Sequence, residues 1–398
     1  MERREVVIVG GGPAGAATAL FLARQNPELA RRALILDKAK HPRPKVCAGG
    51  LIPHTLECLA ELGVGLTVPH VIVDRARVDV PGRRVEVEGR RFCAVVRRAE
   101  FDAALLDAAR ASGVEAHDGE KVLAVARVDG GVAITTTRGS YQTPLVIGAD
   151  GSGSLVRRRL FPAGREERTI ARAVMADIPV EGRTWDGHAR ARYDFDFRAV
   201  PAGLQGYAWA FPCLIAGRPH VNAGVYARRV VPGVDLVEML RELQSELGGA
   251  TIRHQAAPIR CWSAQPFVDA NVLLVGDAAG VEPLMGEGIS FAFEYGRWAA
   301  DEVARAVAAK EYALRGAEAR FRNSWVGRKL RRLDQAATMF YGPGARLWLA
   351  LAARWTGAQE IGLRWYNGVD GWDRRSGWEA LRTALRRRAV ASRSFAMQ

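Results

Sequence analysis

A chain of 398 residues, 48 % hydrophobic and 25 % charged, has an ordinary globular composition and can bury a large core, as two domains or as one domain with large insertions. Its formal charge of +14 is concentrated late: from residue 311 onward 17 Lys and Arg face 7 Asp and Glu. No apolar run there reaches the roughly 20 residues that a bilayer span needs, and no nucleic-acid-binding motif is present, so neither a transmembrane nor a nucleic-acid reading is favoured.

The five cysteines lie far apart with no C-x-x-C pair, which indicates neither a disulfide framework nor a zinc site and points to the reduced cytosol. Seven scattered histidines, with no H-E-x-x-H and no G-x-S-x-G, remove metal hydrolysis and α/β-hydrolase chemistry from the leading readings.

Val6 to Val9 is a β-branched run of the kind a strand buried on both faces requires, and it stops at glycine. Gly10, Gly12 and Gly15 then fit G-x-G-x-x-G. The first permits the tight turn, the second lets backbone approach a pyrophosphate, and the third lets helix pack on strand. Ala33 to Leu36 reads as a second strand and delivers Asp37, placed to accept a ribose hydroxyl. A signal peptide is the competing reading of Met1 to Ala23, but three consecutive glycines and Pro13 would break an apolar helix in its middle.

A polar, proline-containing loop follows, and then Val46 to Leu51, in which Cys47 is either a reactive thiol or a small hydrophobe near a turn. A helix is expected from Pro53 to about Leu62, and short strands at Ala76 to Val80 and Val85 to Val87. Phe101, Leu105, Ala108 and Ala109 have helical spacing, and Arg98 at the start of that helix is either a solvated charge or a flavin-facing cation. Val122 to Arg127 and Val132 to Thr137 read as a hairpin. Leu145 to Gly148 is a further apolar strand that ends near an acid, Asp150.

From Ile170 to Arg260 the pattern turns to β. Tyr207, Trp209 and Phe211 alternate and would share one strand face, as an aromatic core or as the wall of an apolar substrate cavity. His220 to Tyr226 is expected to be the neighbouring strand, and Val234 to Leu247 a helix. Finally Asn271 to Val275 runs into Gly276 and Asp277, and Gly286 to Ile289 opens a long helix from Ser290 to about Lys310, whose N-terminus suits an anionic flavin edge.

In this order the motifs resemble the geranylgeranyl reductase family within the p-hydroxybenzoate-hydroxylase-like FAD enzymes, over roughly the first 300 residues. Tyr207-Ala-Trp209-Ala-Phe211-Pro212 resembles the Y-x-W-x-F-P element, the most family-specific of them, and the Cys47 loop, Arg98 with Phe101 and Asp102, Gly148 to Gly151 and Gly276-Asp277 resemble the others.

The resemblance implies an α/β fold in which a Rossmann-like FAD-binding domain of the p-hydroxybenzoate-hydroxylase type is interrupted by a mainly antiparallel β-sheet substrate domain. The expected division is FAD domain 1–75, 92–165 and 262–310, substrate domain 76–91 and 166–261, and a basic helical C-terminal region 311–398. It implies non-covalent FAD held by Gly10, Gly12, Ala14, Gly15, Asp37, Cys47, Ala48, Gly50, Arg98, Asp150, Asp277, Gly288 and Ile289, with NAD(P)H or another reductant as transient electron donor; no second Rossmann fingerprint is found.

The function expected is saturation of carbon–carbon double bonds in a polyprenyl substrate, hydride coming from reduced flavin N5. Cys47 is the candidate proton donor, with water as its rival, and the rings of Tyr207 or Trp209 would stabilise positive charge. The alternatives are an FAD-dependent monooxygenase or halogenase of the same fold and a non-catalytic flavin-bound redox partner. The basic C-terminal region, in which Arg386 to Arg388 and other arginines alternate with Trp348, Trp355, Trp365, Trp372 and Trp378, has two readings: peripheral contact with an anionic membrane, or a cytoplasmic helical cap with a solvated basic face.

Overall fold

The computed structural model describes residues 1–161, 170–180, 185–248, 252–355 and 382. A six-stranded sheet carries the dinucleotide motifs. Its strand order is Val268–Asp269, Val272–Leu274, Leu145–Gly148, Val6–Val9, Ala33–Asp37 and Glu115–Asp118, parallel throughout except for the first pair.

All four residues of Val6–Val9 are buried, as a strand covered on both faces demands. The register sets Leu36, Val9, Gly148 and Leu274 in one row, so four strands end at the same level. Three motifs far apart in sequence therefore open onto one rim.

Helix Pro13–Gln25 lies on this sheet against the long helix Ile289–Ala309, where the crossing is close: a Cβ on Gly296 would sit 2.7 Å from the backbone nitrogen of Thr18. Helix Arg98–Ala111 buries Phe101, Leu105 and Ala109. The hairpin strands Val122–Val128 and Gly131–Thr136 belong to a separate four-stranded sheet with Ser140–Thr143 and Glu2–Arg3.

The second large sheet has eight strands in the order Gln255–Arg260, Ile170–Pro179, Arg218–Ala227, Gly206–Ile215, Arg192–Asp196, His70–Val80, Arg83–Val96 and Gly50–Leu51. It is antiparallel except where Arg192–Asp196 runs parallel to His70–Val80. Alternation along Gly206–Ile215 sorts its faces. Tyr207, Trp209 and Phe211 join one buried cluster with Tyr193 and Tyr226, while Ala208 and Ala210 join another with Leu236 and Leu240 of helix Leu236–Glu246. Small residues seat the helix; large ones line the opposite face.

The strand pieces expected at Ala76 to Val80 and Val85 to Val87 are parts of one long hairpin, His70–Val80 and Arg83–Val96, turning at Gly82. Charged residues hide its length in the sequence, because Arg75, Arg77 and Asp79 are satisfied by Glu88, Asp194 and Arg84 at 3.0, 2.8 and 2.7 Å.

Helices Ala317–Asn323, Trp325–Phe340 and Ala345–Arg354 follow the long helix, and Tyr341, Ala345, Leu349 and Ala353 pack on the aromatic face of the eight-stranded sheet. Among the described residues no helix is long and apolar enough to cross a membrane. Trp365, Trp372, Trp378 and Arg386 to Arg388 lie outside the described residues.

Candidate functional site

The rim of the six-stranded sheet and the aromatic face of the eight-stranded sheet enclose one cavity of about 1240 Å³. It exceeds the range of roughly 300–1,000 Å³ of a single drug-sized site and has room for more than one ligand. Gly10, Gly12, Ala14, Asp37, Asp150 and Asp277 line its first half.

Gly10 holds φ +114°, and a Cβ there would meet the Ala149 carbonyl oxygen at 2.2 Å, so only glycine fits the turn. Gly15 does not reach the cavity; a Cβ on it would lie 1.9 Å from the Gly10 oxygen, which makes it the residue that lets helix sit on strand.

Asp37 is buried and accepts the N–H groups of Gly11 at 2.7 Å and Ala39 at 2.8 Å. Burial works against its charge, but His41, those two N–H groups and Arg43 outweigh it and hold the carboxyl below its ordinary range. Asp150 caps the helix Leu155–Leu160 through Oδ2, accepting from Leu155 at 2.6 Å and Val156 at 3.2 Å. Its other oxygen, Oδ1, is buried without a hydrogen-bond partner, and burial raises the carboxyl above its ordinary range. Asp277 accepts from the Ser152 hydroxyl at 3.0 Å.

A glycine turn whose backbone leaves no room for a Cβ, a row of strand ends and an orphaned carboxylate oxygen on the cavity wall together fit the phosphates and hydroxyls of a dinucleotide such as FAD.

Cys47, Ala48 and Gly50 reach the same cavity from the loop that enters the eight-stranded sheet. Gly50–Leu51 pairs with Val95 and Ala94, and Gly49, at φ +79°, would bring a Cβ within 2.0 Å of the Val96 oxygen. The loop is thus pinned to the sheet edge. Arg98 lies behind it on the cavity wall, bidentate to Asp102 at 2.7 and 2.9 Å, and is therefore not a solvated charge, one of its two expected readings. Burial opposes its charge, while Asp102 and Cys47 raise it further above the ordinary guanidinium value.

On the far side Gly288 and Ile289 present the start of the long helix. The loop before it is tied down by hydroxyl groups the sequence does not connect to it: Tyr226, Tyr341 and Tyr207 donate to the carbonyl oxygens of Pro283, Leu284 and Met285 at 2.9, 2.7 and 2.7 Å.

The second half of the cavity is apolar. Tyr207 and Trp209, both expected at the site, are on its wall with Phe195, Phe211 and Tyr226. The Tyr207 ring lies 5.4, 5.5 and 5.6 Å from those of Phe195, Phe197 and Tyr226, and the Trp209 indole donates to Asn222 Oδ1 at 2.7 Å. Valines of the long hairpin and Ala353 of the last described helix complete it. No charged side chain of the eight-stranded sheet is among the described residues lining it.

Away from the cavity, His54, Cys58 and Glu294 converge in the core, donor atoms within 4.8 Å of one another. His54 Nε2 is 2.9 Å from Glu294 Oε1, and Arg297 reaches Cys58 Sγ at 3.7 Å, so this group is an ion-paired link between helix Pro53–Glu61 and the long helix.

A family profile described as "FAD binding domain" matches residues 3–296. The menaquinone reductase of Mycobacterium tuberculosis strain H37Rv is 31 % identical over 324 residues, covering 75 % of this chain and 76 % of that protein. The geranylgeranyl diphosphate reductase of Rhodobacter capsulatus is 30 % identical over 310 residues, covering 75 % and 74 %.

Among solved structures, the geranylgeranyl bacteriochlorophyll reductase-like protein of Thermoplasma acidophilum shares the fold with a TM-score of 0.70 at 22 % identity, over 91 % of this chain and 99 % of that one. A flavin-dependent brominase does so with a TM-score of 0.74 at 17 % identity, over 98 % and 100 %.

Proposed function

This chain belongs to the geranylgeranyl reductase family of FAD-dependent oxidoreductases, and from that premise we propose that it saturates carbon–carbon double bonds in the prenyl chain of an isoprenoid lipid. The observation that carries the proposal is the continuity of the cavity: glycine turns and carboxylates open directly onto aromatic rings and valines. Such a wall accepts hydrocarbon and gains by excluding water from it.

Reduced FAD supplies hydride when bound. Gly10, Gly12 and Ala14, at the helix start, would hold its pyrophosphate, Asp37 its adenosine ribose, Asp150 and Asp277 its ribityl hydroxyls, and Gly288 with Ile289 its ring edge. NAD(P)H or another donor would return the electrons. The chain's own part is to orient the alkene against the rings of Tyr207 and Trp209, whose faces favour positive charge developing on carbon. It must also provide a proton, for which the cavity wall offers the Cys47 thiol, a carboxyl group, or water.

Helix Ala345–Arg354 supports a route for the lipid. Ala353 faces the cavity, whereas Leu347, Trp348 and Leu351 are 61 %, 39 % and 49 % exposed on the outer side with Arg346 and Arg354 beside them. Apolar and aromatic side chains flanked by arginine suit peripheral contact with an anionic bilayer. Replacing Leu347, Trp348 and Leu351 together with serine should abolish flotation with phosphatidylglycerol vesicles; unchanged flotation removes this face from membrane contact.

A second reading, oxygen-dependent monooxygenation or halogenation, is compatible with the fold, which a brominase shares at 17 % identity, a likeness that concerns the fold alone. Adding geranylgeranyl diphosphate, which has no quinone ring to take electrons directly from flavin, to the reduced flavoprotein without oxygen separates the two. Return of oxidised-flavin absorbance on lipid addition is expected, and absorbance that recovers only when oxygen is admitted would sink the reductase reading.

A further inference from the structure

The loop that precedes helix Ile289–Ala309 carries two acids, Glu282, which is buried, and Glu287, which is partly buried. Glu282 has no exposed surface, and its carboxylate accepts the N–H groups of Leu284, Met285 and Glu287 at 2.7, 2.9 and 2.8 Å. It holds the loop in shape. Burial pushes it up to about 7, the Glu287 N–H pulls it back, and negative charge on Glu287 raises it again.

Glu287 is placed differently, because it lies on the cavity wall beside Gly286, Gly288 and Ile289. Its two oxygens accept from the Ser290 N–H at 2.8 Å and the Ser290 hydroxyl at 2.6 Å. The titratable and charged groups acting on it or feeling its charge are Glu282 on its own loop, Lys329 from helix Trp325–Phe340, Cys93 from strand Arg83–Val96 and Tyr207 from strand Gly206–Ile215. Burial raises its carboxyl above the ordinary range, and Ser290 and Lys329 offset this only in part. A carboxyl on a mostly apolar cavity wall, next to a buried second acid, is biased toward its protonated form.

Cys47 lies beside a cation rather than beside a second acid. Its sulfur accepts the Gly49 N–H at 3.4 Å and faces the Arg98 guanidinium, which can only donate. Both contacts use the sulfur as an acceptor.

We propose that Glu287 is the acid that protonates the prenyl double bond, with Ser290 stabilising the carboxylate left behind. The assignment rests on the prenyl-reductase function proposed above. In the step, the π electron pair of the alkene forms a C–H bond with the Glu287 proton. The adjacent carbon, left short of electrons, accepts a hydride drawn from reduced FAD. One C=C bond becomes C–C with two new C–H bonds, the flavin is oxidised by two electrons, and water returns a proton to Glu287.

A Glu that serves only to cap the helix would be replaced by Gln at little cost, since the amide oxygen still accepts the Ser290 N–H. The test therefore uses Glu287→Gln in the FAD-loaded, full-length protein with two readouts. Infrared difference spectra of the oxidised, substrate-free proteins near neutral pH should show a protonated-carboxyl C=O band in the wild type that Glu287→Gln lacks. In stopped flow, Glu287→Gln should keep its FAD and be reduced at nearly the native rate while prenyl saturation slows by roughly 10²–10⁴-fold.

Ser290→Ala provides a second variant should Glu287→Gln fail to fold. Without the donated hydroxyl, the carboxyl band should persist to higher pH than in the wild type. Absence of a band sensitive to Glu287, or saturation by Glu287→Gln at the native rate, overturns the assignment. Absence of saturation by the fully reduced wild type overturns the reductase reading and the catalytic role with it, and is recognised as such because the wild type itself is inactive.

Discussion

The two halves of the cavity are built from different materials. The half proposed for the flavin is mostly backbone: strand ends aligned by register, a turn at Gly10 that no side chain fits, and the start of the helix that begins at Ile289. The apolar half is side chain, contributed by Tyr193, Phe195, Tyr207, Trp209, Phe211 and Tyr226 from neighbouring strands of one sheet. Backbone demands are local and absolute, whereas a wall of rings depends on contacts between distant parts of the chain and can be reshaped without losing the fold. Substitutions should therefore separate cofactor retention from substrate handling.

The largest separation is expected from Gly10→Ala. The dihedral strain alone costs about 1–3 kcal/mol, and the added Cβ would also fall 2.2 Å from the Ala149 oxygen, so the protein should emerge from gel filtration colourless. A yellow Gly10→Ala protein with native affinity would mean that the turn is not where the cofactor binds.

Trp209→Ala is the matching change in the other half. Removing this buried ring and its bond to Asn222 should lower stability by about 3–5 kcal/mol in denaturant titration. The folded fraction should nevertheless keep its flavin spectrum. Loss of FAD in step with the lost ring would erase the distinction between the halves.

Legibility in the sequence followed the same division. Val6 to Gly15, Asp37 and Gly276-Asp277 could be read because each motif answers a requirement within a few residues of itself, and all but Gly15 of the named cofactor residues line the cavity. The Gly15 carbon instead packs against the Gly10 carbonyl, the role its spacing assigns to the third glycine. What was not legible is long-range. Nothing near Tyr226 or Tyr341 marks them as donors to Pro283 and Leu284, and Glu287 stands inside a motif that reads as a helix start rather than as an acid. The hairpin His70–Val80 and Arg83–Val96 looked shorter than it is because its charged positions find partners only once the sheet forms.

Asp37→Ala sharpens the comparison within the flavin half. It removes a buried charged acceptor but leaves the glycine turn intact, so FAD affinity should fall by roughly 1.5–3 kcal/mol rather than vanish. Unchanged affinity would take Asp37 out of the adenosine site.

The smallest effect is expected behind both halves, at His54 and Glu294. Burial disfavours the His54 cation, but Cys58 and Glu294 outweigh it and raise the imidazole from 6.5 to about 10. A pKa raised on folding stabilises the protein most below the unfolded value, and that contribution disappears as pH rises through the folded one. The melting temperature should therefore decline between about pH 6.5 and about pH 10, and Glu294→Gln should flatten that slope. A wild-type slope no steeper than the variant's would leave the pair without a role in linking the helices.

The central claim, that one cavity joins a flavin site to a hydrocarbon site for reduction, is tested most directly by a single anaerobic turnover. The flavoprotein is reduced stoichiometrically, mixed with a prenyl lipid in strict absence of oxygen, and the lipid is examined by mass spectrometry. A gain of two hydrogens per flavin reoxidised, located in the prenyl chain, is the predicted result. An unchanged lipid beside a flavin that stays reduced, with an oxygenated or halogenated product appearing only after oxygen and, for halogenation, halide are supplied, would contradict it.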